Sequence, residues 1–572
     1  MKNKKNRIIG MGGHDLESSA VLLEDGKIIS AIQEERLNRQ KNCGGFPYQA
    51  INYILKENNL NIEDIDNIVY PFTKDYIFFR NEVLSNLSKR PFQTLKNFNL
   101  FKKSLNYRQK RKDAFNGELQ TVFSHKFNLS AKKINFFDHH KCHFATGHFT
   151  SGFNSSVGLV IDLEGDGEST TGWKYENNEI KKIMSFGYPN SLGIFYNRFT
   201  QYLGFKTHDE YKVMGLAAYG KPKYQKEIET ILIKTSDGYE LNQDYFNPFT
   251  GYYFNDKLYE LLGPAYPNHD NVDDRMTDIA CSIQKVFEDT VIHLAKILKS
   301  KTNIDNFVMA GGCSLNSKAN GVILNKKIFK NFHIPASAGD SGVALGAAYL
   351  QYSKDNNLFN SNKVTIDYFG PKYDDFEIEK ELKKSLVHYE KVNDVHKVCA
   401  ELLANNLIIG WFQGRMEYGP RSLGNRAILA DARSMDMKDK VNNAIKFREA
   451  FRPFAPICLD EYKDKYFKMS TSSNFMTFTV NVKSDKKNLI PAIVHEDGTS
   501  RVQTVDENSN KLLYSLLHEY NKITGIPVLM NTSFNVNGEP IVCSPIDAIK
   551  TFFISGIDVL IMNNYVVKKS NL

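Results

Sequence analysis

Short apolar stretches separated by turn residues open the chain and predict β-strands. The first three predicted strands cover residues 7–13, 19–23 and 27–33. Asp25-Gly26, between the second and the third, is typical of a two-residue hairpin turn. The same order returns with predicted strands at residues 157–163, 170–175 and 180–186. A Gly- and Asp-rich turn at residues 164–167 follows the first of these strands, and an Asn177-Asn178 turn precedes the third. Two three-stranded meanders, each opened by an apolar strand that ends in polar residues, indicate an internal duplication.

The pattern changes in the last third of the chain. A polar stretch at residues 353–363 is followed by Gly370-Pro371, and a new alternation of helices and strands begins after it. A chain of 572 residues is also too long for a single hydrophobic core. We therefore predict two domains, residues 1–365 and residues 366–572, and the α/β fold class for both.

The composition is that of an ordinary globular protein, with 42% hydrophobic and 24% charged residues. No apolar run reaches the roughly 18 residues that a membrane span needs. The seven cysteines are scattered and form no CxxC pair, which argues against disulfides and zinc fingers. We expect a cytoplasmic protein without a membrane span.

The net charge of +8 is concentrated in residues 89–133. This segment has twelve Lys or Arg residues against two acidic residues, a balance of +10. A helical excursion with a solvated basic face is the simpler interpretation. A docking face for an acidic acceptor or for nucleic acid is the alternative.

A histidine-rich hexapeptide, residues 138–143, is the first candidate for chemistry. On a helix, His139 and His143 lie one turn apart and can bind the same metal ion. Asp162, at the end of a predicted strand, and Asp340, in a Gly-flanked loop, are candidates for further ligands. Mixed nitrogen and oxygen ligands suit Fe²⁺, Mn²⁺ or Zn²⁺ better than Ca²⁺. A pair of ordinary surface or core histidines is the alternative.

Basic residues and glycines cluster in the predicted C-terminal domain. Guanidinium groups chelate phosphate, and glycine lets the backbone approach it. A turn at residues 414–426 and a predicted helix at residues 441–451 carry most of the candidates, although a solvated basic helix is the alternative for the latter. The candidates are Arg421, Lys446, Arg448, Arg452 and Arg501. Asn531 and Ser533 follow a predicted strand, at the end where α/β proteins usually bind ligands.

Two shorter motifs carry weaker signals. A predicted strand at residues 307–310 runs into Gly311-Gly312 and a polar helix start near Asn316, which is typical of an anion cradle. His14-Asp15 follows the first strand and supplies a candidate base near pH 7. A structural role in a turn is the alternative for this dipeptide.

These motifs together resemble the carbamoyltransferase family that includes nodulation protein U, the cephalosporin hydroxymethyl carbamoyltransferase and the tobramycin carbamoyltransferase. The resemblance runs nearly end to end, over residues 12–19, 33–36, 138–143, 163–167, 191–196, 212–220, 311–316, 340–348, 414–426, 445–456, 501–505 and 531–540. It implies an actin-like N-terminal domain, with a duplicated ribonuclease H-like fold, and a YrdC-like C-terminal domain.

The resemblance also implies a reaction. ATP and carbamoyl phosphate would give carbamoyl-adenylate in the C-terminal domain. The N-terminal domain would then transfer the carbamoyl group to a hydroxyl or amine of a small-molecule acceptor such as a sugar, a glycan or a natural product. Fe²⁺ is the metal expected, and Mg²⁺ would accompany ATP.

The residue roles implied by the resemblance fall into four groups. Phosphate charge would be neutralised by Arg421, Lys446, Arg452 and Arg501, and ATP or the carbamoyl group would be held by Asn531 and Ser533. Metal ligands would be His139, His143, Asp162 and Asp340. The acceptor would be deprotonated by Asp15 with His14 beside it. A nucleotide in the N-terminal domain would be held by Gly311, Gly312, Asn316 and Lys212.

Three rival interpretations remain at this point. The same modules could serve an RNA acceptor, which the basic segment favours. An actin-like small-molecule kinase would release ADP, and a non-catalytic scaffold would bind nucleotide without turnover. The sequence leaves the oligomeric state open, with a dimer among the alternatives.

Overall fold

The chain forms two compact units, each assembled from separate stretches. The structure is a computed structural model and describes residues 5–13, 16–73, 134–187, 189–246, 254–356 and 361–569. The first unit consists of Met1–Ile29, Gly44–Ala319 and Ile323–Lys363, and the second of Ser30–Cys43, Asn320–Val322 and Val364–Leu572. The sequence predicts a single boundary at residues 365–366, whereas two short stretches from the first part of the chain also join the second unit.

Two five-stranded sheets with the same strand order build the first unit. The first sheet has the order β3-β2-β1-β4-β5 and contains β1 (Arg7–Gly12), β2 (Ser19–Glu24), β3 (Lys27–Gln33), β4 (Asn67–Tyr70) and β5 (Ile134–Phe136). The second sheet has the order β8-β7-β6-β11-β12 and contains β6 (Ser156–Gly165), β7 (Glu168–Glu176), β8 (Glu179–Gly187), β11 (Asn306–Ala310) and β12 (Asn331–His333). A separate hairpin is formed by β9 (Leu232–Thr235) and β10 (Gly238–Leu241).

Strand direction repeats between the two sheets as well. β1 pairs antiparallel with β2 and parallel with β4, and β6 pairs antiparallel with β7 and parallel with β11. β5 and β12 each extend their sheet in parallel. This repeated order is the duplicated ribonuclease H-like plan of actin-like proteins, and the predicted fold class of the N-terminal domain is confirmed.

Both predicted hairpin turns are present. Asp25 and Gly26 have φ values of 49° and 75°, and Asn177 and Asn178 have φ values of 53° and 63°. Two consecutive residues with positive φ form the type I′ turn, whose twist matches that of the flanking strands. Asn, Asp and Gly tolerate this left-handed backbone best.

One glycine allows the central helices of the first unit to approach each other closely. The described α-helices here are α2 (Tyr48–Glu57), α3 (His139–Phe149), α4 (Leu192–Tyr202), α5 (Glu210–Leu216), α6 (Gln225–Glu229), α7 (Asp256–Leu262), α8 (Asp274–Thr302), α9 (Ser317–Lys326) and α10 (Val343–Asn356). α10 packs against both α3 and β1. A Cβ added to Gly346 of α10 would lie 1.9 Å from the carbonyl oxygen of Cys142 in α3. This contact brings the turn that precedes α10 close to α3.

A nine-stranded mixed sheet forms the centre of the second unit. Its order is β13-β21-β20-β14-β15-β19-β16-β18-β17. The strands are β13 (Glu390–Lys391), β14 (Ile409–Phe412), β15 (Arg426–Asp431), β16 (Ala455–Leu459), β17 (Phe478–Asn481), β18 (Thr499–Val505), β19 (Val528–Ser533), β20 (Val559–Met562) and β21 (Tyr565–Lys568). The α-helices are α1 (Glu34–Asn38), α11 (Asp375–Lys384), α12 (Val395–Ala404), α13 (Asp436–Val441), α14 (Lys463–Tyr466), α15 (Lys511–Thr524) and α16 (Pro545–Ile554). The α/β class predicted for this part of the chain is confirmed.

The helix predicted over residues 441–451 is wrong. α13 ends at Val441, a π-helical turn follows at Asn442–Lys446, and Phe447 ends the helical backbone with a φ of 44°. The Phe447 N–H donates to the Asn442 carbonyl at 2.7 Å, which closes the wide turn. A left-handed residue cannot continue a right-handed helix, so the arginines that follow lie on an irregular segment. Among the described helices, none combines the length and apolarity needed to cross a membrane.

Candidate metal centre and phosphate site

Two histidines and two aspartates of the first unit converge on one point. One ligand atom from each of His139, His143, Asp162 and Asp340 lies within 4.8 Å of the others. His139 Nε2 is 3.1 Å from His143 Nε2 and 3.3 Å from Asp162 Oδ2. Asp340 Oδ1 is 3.4 Å from His143 Nε2. Ligands bound about 2.1 Å from a tetrahedral ion are about 3.4 Å apart, so this donor set fits a metal ion.

Local structure places the Nε2 atoms of both histidines at this point. Asp138 caps α3, because its Oδ1 accepts the Lys141 N–H at 2.7 Å. The helix then places His139 and His143 one turn apart on the same side. His139 Nδ1 lies 3.2 Å from the Pro71 carbonyl oxygen, which can only accept. The ring proton therefore belongs on Nδ1, and the Nε2 lone pair is left for a metal.

The turn after Asp162 contributes two residues that sequence reasoning missed. Asp166 Oδ2 accepts the N–H of His139 at 3.1 Å and that of Thr73 at 3.0 Å. A Cβ added to Gly165 would lie 2.0 Å from His139 Cδ2. Both residues therefore fix the position of His139. The acidic, glycine-rich composition of residues 164–167 predicts a turn, but it does not indicate that the turn contacts His139.

Electrostatics make the four-residue centre a site for a cation. Burial alone would raise the pKa of Asp162, but its interactions with the His139 and His143 side chains hold that pKa well below its usual range. Burial alone would lower the pKa of His143, but Asp162 and Asp340 raise it to about 9. Both histidines are only 1% exposed. The buried Asp162 carboxylate, with the half-buried Asp340 carboxylate close by, favours a positive charge at this point, which a proton or a metal ion can supply.

The glycine turn after β11 lies beside this centre. The Gly312 N–H donates to Asp162 Oδ1 at 3.4 Å, and Gly311 has a φ of 89°. Asn316 accepts the Ala319 N–H at 3.0 Å as the N-cap of α9. Of the predicted nucleotide residues, Gly311 and Gly312 are thus close to the candidate ligands, whereas Asn316 starts the next helix.

Lys212 is placed on a neighbouring helix. Its Nζ forms an ion pair with Asp209 at 3.1 Å. α5, which carries Lys212, reaches the start of α9, where the Ser317 hydroxyl lies 4.0 Å from the Met214 sulfur. The predicted catalytic residues His14 and Asp15 and the basic segment at residues 89–133 lie outside the described residues.

In the second unit, Lys446 is anchored at the end of β19. Its Nζ donates to the Ser533 carbonyl at 2.5 Å and to the carbonyl and Oδ1 of Asn535 at 2.9 Å and 3.0 Å. The side chain is 5% exposed. Burial lowers the pKa of Lys446 well below its usual range, and the nearby charges of Arg448, Arg452 and Lys41 lower it further.

Arg448 and Arg452, whose charges act on Lys446, also act on Arg501. Desolvation lowers the pKa of Arg501, and the charges of Arg421, Arg448 and Arg452 add to that effect. Arg448 Nε donates to Asn442 Oδ1 at 2.9 Å. Cations that destabilise one another in this way are stabilised by an anion, and phosphate is the anion that guanidinium groups bind best. The five basic residues predicted for phosphate thus act electrostatically on one another in the structure, and Lys41 acts on Lys446 in addition.

Asn531 and Glu417 are two further buried polar residues of the second unit. Asn531 Nδ2 donates to the Ser422 carbonyl at 3.0 Å, and its buried Oδ1 has no hydrogen-bond partner among the described residues. Glu417, which sequence reasoning missed, accepts the backbone N–H groups of Leu423 and Asn425, each at 2.8 Å. The loop that carries Arg421 is thus folded around a buried carboxylate.

Comparisons with known proteins place this chain among its relatives. The family model "Carbamoyltransferase N-terminus" matches residues 7–349, and "Carbamoyltransferase C-terminus" matches residues 400–569. The uncharacterized protein sll1178 of Synechocystis is 35% identical over 98% of this chain and 97% of its own. Nodulation protein NolNO of Sinorhizobium fredii is 35% identical over 97% of this chain and 79% of its own. Nodulation protein U of Rhizobium fredii is 39% identical over 41% of this chain and 38% of its own.

The two family models together span both units in the order that the sequence predicts. The first model alone covers more than half of the chain. The relatives extend that match across nearly the whole sequence. The protein therefore belongs to the carbamoyltransferase family.

Proposed function

We propose that this carbamoyltransferase uses ATP and carbamoyl phosphate to make carbamoyl-adenylate, and then carbamoylates a hydroxyl or amine of a small molecule. The observation that carries the proposal is the cluster of cations around Lys446 in the second unit. A single phosphate needs fewer basic groups than Arg421, Lys446, Arg452 and Arg501 provide. Such a concentration suits a triphosphate together with a second phosphorylated substrate.

The first half-reaction would form the adenylate. Water would cleave carbamoyl phosphate to carbamate and inorganic phosphate. A carbamate oxygen would attack the α-phosphorus of ATP, and the bond to the β-phosphate oxygen would break to release pyrophosphate. Lys446 and Arg501 would offset the charge that develops on the leaving group. Asn531 Oδ1, which has no hydrogen-bond partner in the described part of the chain, offers an acceptor for the carbamoyl NH₂ group.

The second half-reaction would transfer the carbamoyl group. The acceptor oxygen or nitrogen would attack the carbamoyl carbon, AMP would leave, and the acceptor proton would pass to a base, for which His14 and Asp15 are the candidates. His139, His143, Asp162 and Asp340 would hold Fe²⁺, which supplies Lewis-acid chemistry when bound. Asp166 would keep His139 in place by accepting the backbone N–H of His139. The Gly311-Gly312 turn would border the nucleotide phosphate, because glycine lets a ligand approach the backbone closely.

Product analysis tests this proposal directly. The full chain is incubated with Fe²⁺, Mg²⁺, ATP and carbamoyl phosphate, each also omitted in turn. We expect AMP and pyrophosphate only when both ATP and carbamoyl phosphate are present. Lys446→Ala should abolish their release, and the matched variant Lys380→Ala, at an exposed lysine of α11, should not. Release of ADP without AMP would contradict the proposal and favour a kinase.

The remaining features of the proposal follow from its substrates. ATP and carbamoyl phosphate are metabolites of the cytoplasm, which is where we expect the reaction to take place. The acceptor needs a nucleophilic hydroxyl or amine, as in a sugar, a glycan or a natural product.

A further inference from the structure

Asp340 is placed less firmly by its own element than the histidines of the metal centre are. It lies in a single 3₁₀ turn, Asp340–Gly342, that directly precedes α10. Its side chain is 28% exposed, whereas the side chains of His139 and His143 in α3 are 1% exposed. A ligand on so short an element depends on tertiary contacts for a precise position.

Two side chains from the start of the first sheet hold the residue that follows Asp340. Glu17, in the turn between β1 and β2, accepts the Ser341 N–H with its Oε2 at 3.1 Å. Ser19, the first residue of β2, donates its hydroxyl to the Ser341 carbonyl at 2.9 Å. Ser341 is therefore held on both its N–H and its carbonyl.

The loop that carries Asp340 leaves room for the Glu17 carboxylate. A Cβ added to Gly339 would lie 3.0 Å from Glu17 Oε2, so a side chain at position 339 would press against this carboxylate. A negatively charged acceptor is also favoured here, because the N–H groups at the start of a helix carry partial positive charge. Geometry and charge thus both suit a glutamate at position 17.

We propose that Glu17 is a positioning residue of the metal centre, which fixes Asp340 beside the two histidines by holding the Ser341 N–H. This role rests on the proposed function, in which the four-residue centre holds a metal ion. The turn between β1 and β2 contributes none of the four candidate ligands, and it supports one of them from outside the centre. Ser19 supports the same residue from its carbonyl side.

Co²⁺ binding to the full chain tests this role without requiring turnover. Co²⁺ follows Fe²⁺ in the order of metal affinities, and its visible spectrum responds to the geometry of its ligands. Glu17 has a φ of 53°, which glycine adopts readily, so Glu17→Gly removes the carboxylate without straining the backbone. We expect Glu17→Gly to weaken Co²⁺ binding by about 10–100-fold and to change the spectrum. Glu17→Gln should recover part of the affinity, because its amide oxygen can still accept the N–H.

Asn59→Gly is the matched control for these measurements. Asn59 also has a positive φ, of 51°, and is an exposed residue that follows α2 in the same unit. This variant should have the Co²⁺ affinity and the visible spectrum of wild type. Thermal unfolding in the absence of metal shows that every variant is folded.

A double-mutant cycle shows whether Glu17 acts through Asp340. If it does, Glu17→Gly should cause a much smaller loss of Co²⁺ affinity in Asp340→Asn than in wild type. Equal losses in the two backgrounds, or wild-type affinity and spectrum in Glu17→Gly, would overturn this role alone. Wild-type protein that does not bind Co²⁺ would overturn the metal centre itself, and with it the part that the proposed function gives to the metal.

Discussion

Adding one methyl group at Gly165 should disable the candidate metal centre. The new Cβ would lie 2.0 Å from Cδ2 and 2.7 Å from Nε2 of His139. Non-bonded carbon atoms settle about 3.5 Å apart, so the ring has to move by about 1.5 Å. Metal–nitrogen bonds tolerate only about 0.2 Å of change. His139 would therefore leave the position from which its Nε2 faces the other ligands.

The expected loss can be estimated and measured. Disturbing the groups that orient a metal ligand typically costs about 10–100-fold in affinity, and we expect at least that for Gly165→Ala. Overpacking should also lower the free energy of unfolding by about 1–3 kcal/mol. Anaerobic titration of the metal-free protein with Fe²⁺ against a competing chelator gives the affinity, and thermal unfolding shows that the variant is folded.

Gly147→Ala is the matched control for this experiment. Gly147 lies on the same helix as His139, and a Cβ added there meets nothing closer than the Val308 side chain at 3.4 Å. This variant should bind Fe²⁺ as wild type does. If Gly165→Ala also bound Fe²⁺ with wild-type affinity, the assignment of His139 as a ligand in this geometry would be refuted.

Three further predictions concern pH and the separation of the two half-reactions. Desolvation, together with the charge of Glu417, raises the pKa of Asp367 to about 8, so its contribution to stability is complete below the usual Asp pKa of about 4 and is lost as pH rises through 8. Thermal unfolding should therefore show that wild type loses more stability between pH 5 and pH 9 than Asp367→Asn does. An equal loss of stability in the two proteins would contradict this. Lys446→Ala should reduce pyrophosphate release by at least about 100-fold while leaving bound Fe²⁺ unchanged in metal analysis. His143→Ala should show the reverse, with pyrophosphate released and no carbamoylated acceptor detected by mass spectrometry; loss of both activities would argue against separate sites.

Local patterns in the sequence predict the features that depend on neighbouring residues. The Asp25-Gly26 and Asn177-Asn178 turns follow from residue types that accept positive φ, and the structure has both. The one-turn spacing of His139 and His143 follows from helical geometry in the same way. Asp162 and Asp340 were identified by their places at a strand end and in a glycine-rich loop, and the structure brings their carboxylates to the histidines.

Other features depend on contacts between distant residues, which local periodicity does not encode. Nothing in the pattern around Arg39 indicates that its partners are the carbonyls of Pro540 and Ile541. The helix predicted across Phe447 is wrong because apolar spacing continues where the backbone turns left-handed. The sequence predicts only a turn at Asp166, because the N–H groups that its carboxylate accepts, those of His139 and Thr73, are distant from it in the sequence. The roles of His14 and Asp15 stay predictions.

The central claim is that one intermediate contains both the carbamoyl group and AMP. Incubating the full chain with [α-³²P]ATP and [¹⁴C]carbamoyl phosphate, quenching rapidly and separating the products tests it most directly. We predict a transient species that carries both labels, formed by wild type and absent from Lys446→Ala. Acceptor carbamoylated with ¹⁴C while every ³²P label remains in ATP or ADP would contradict the account.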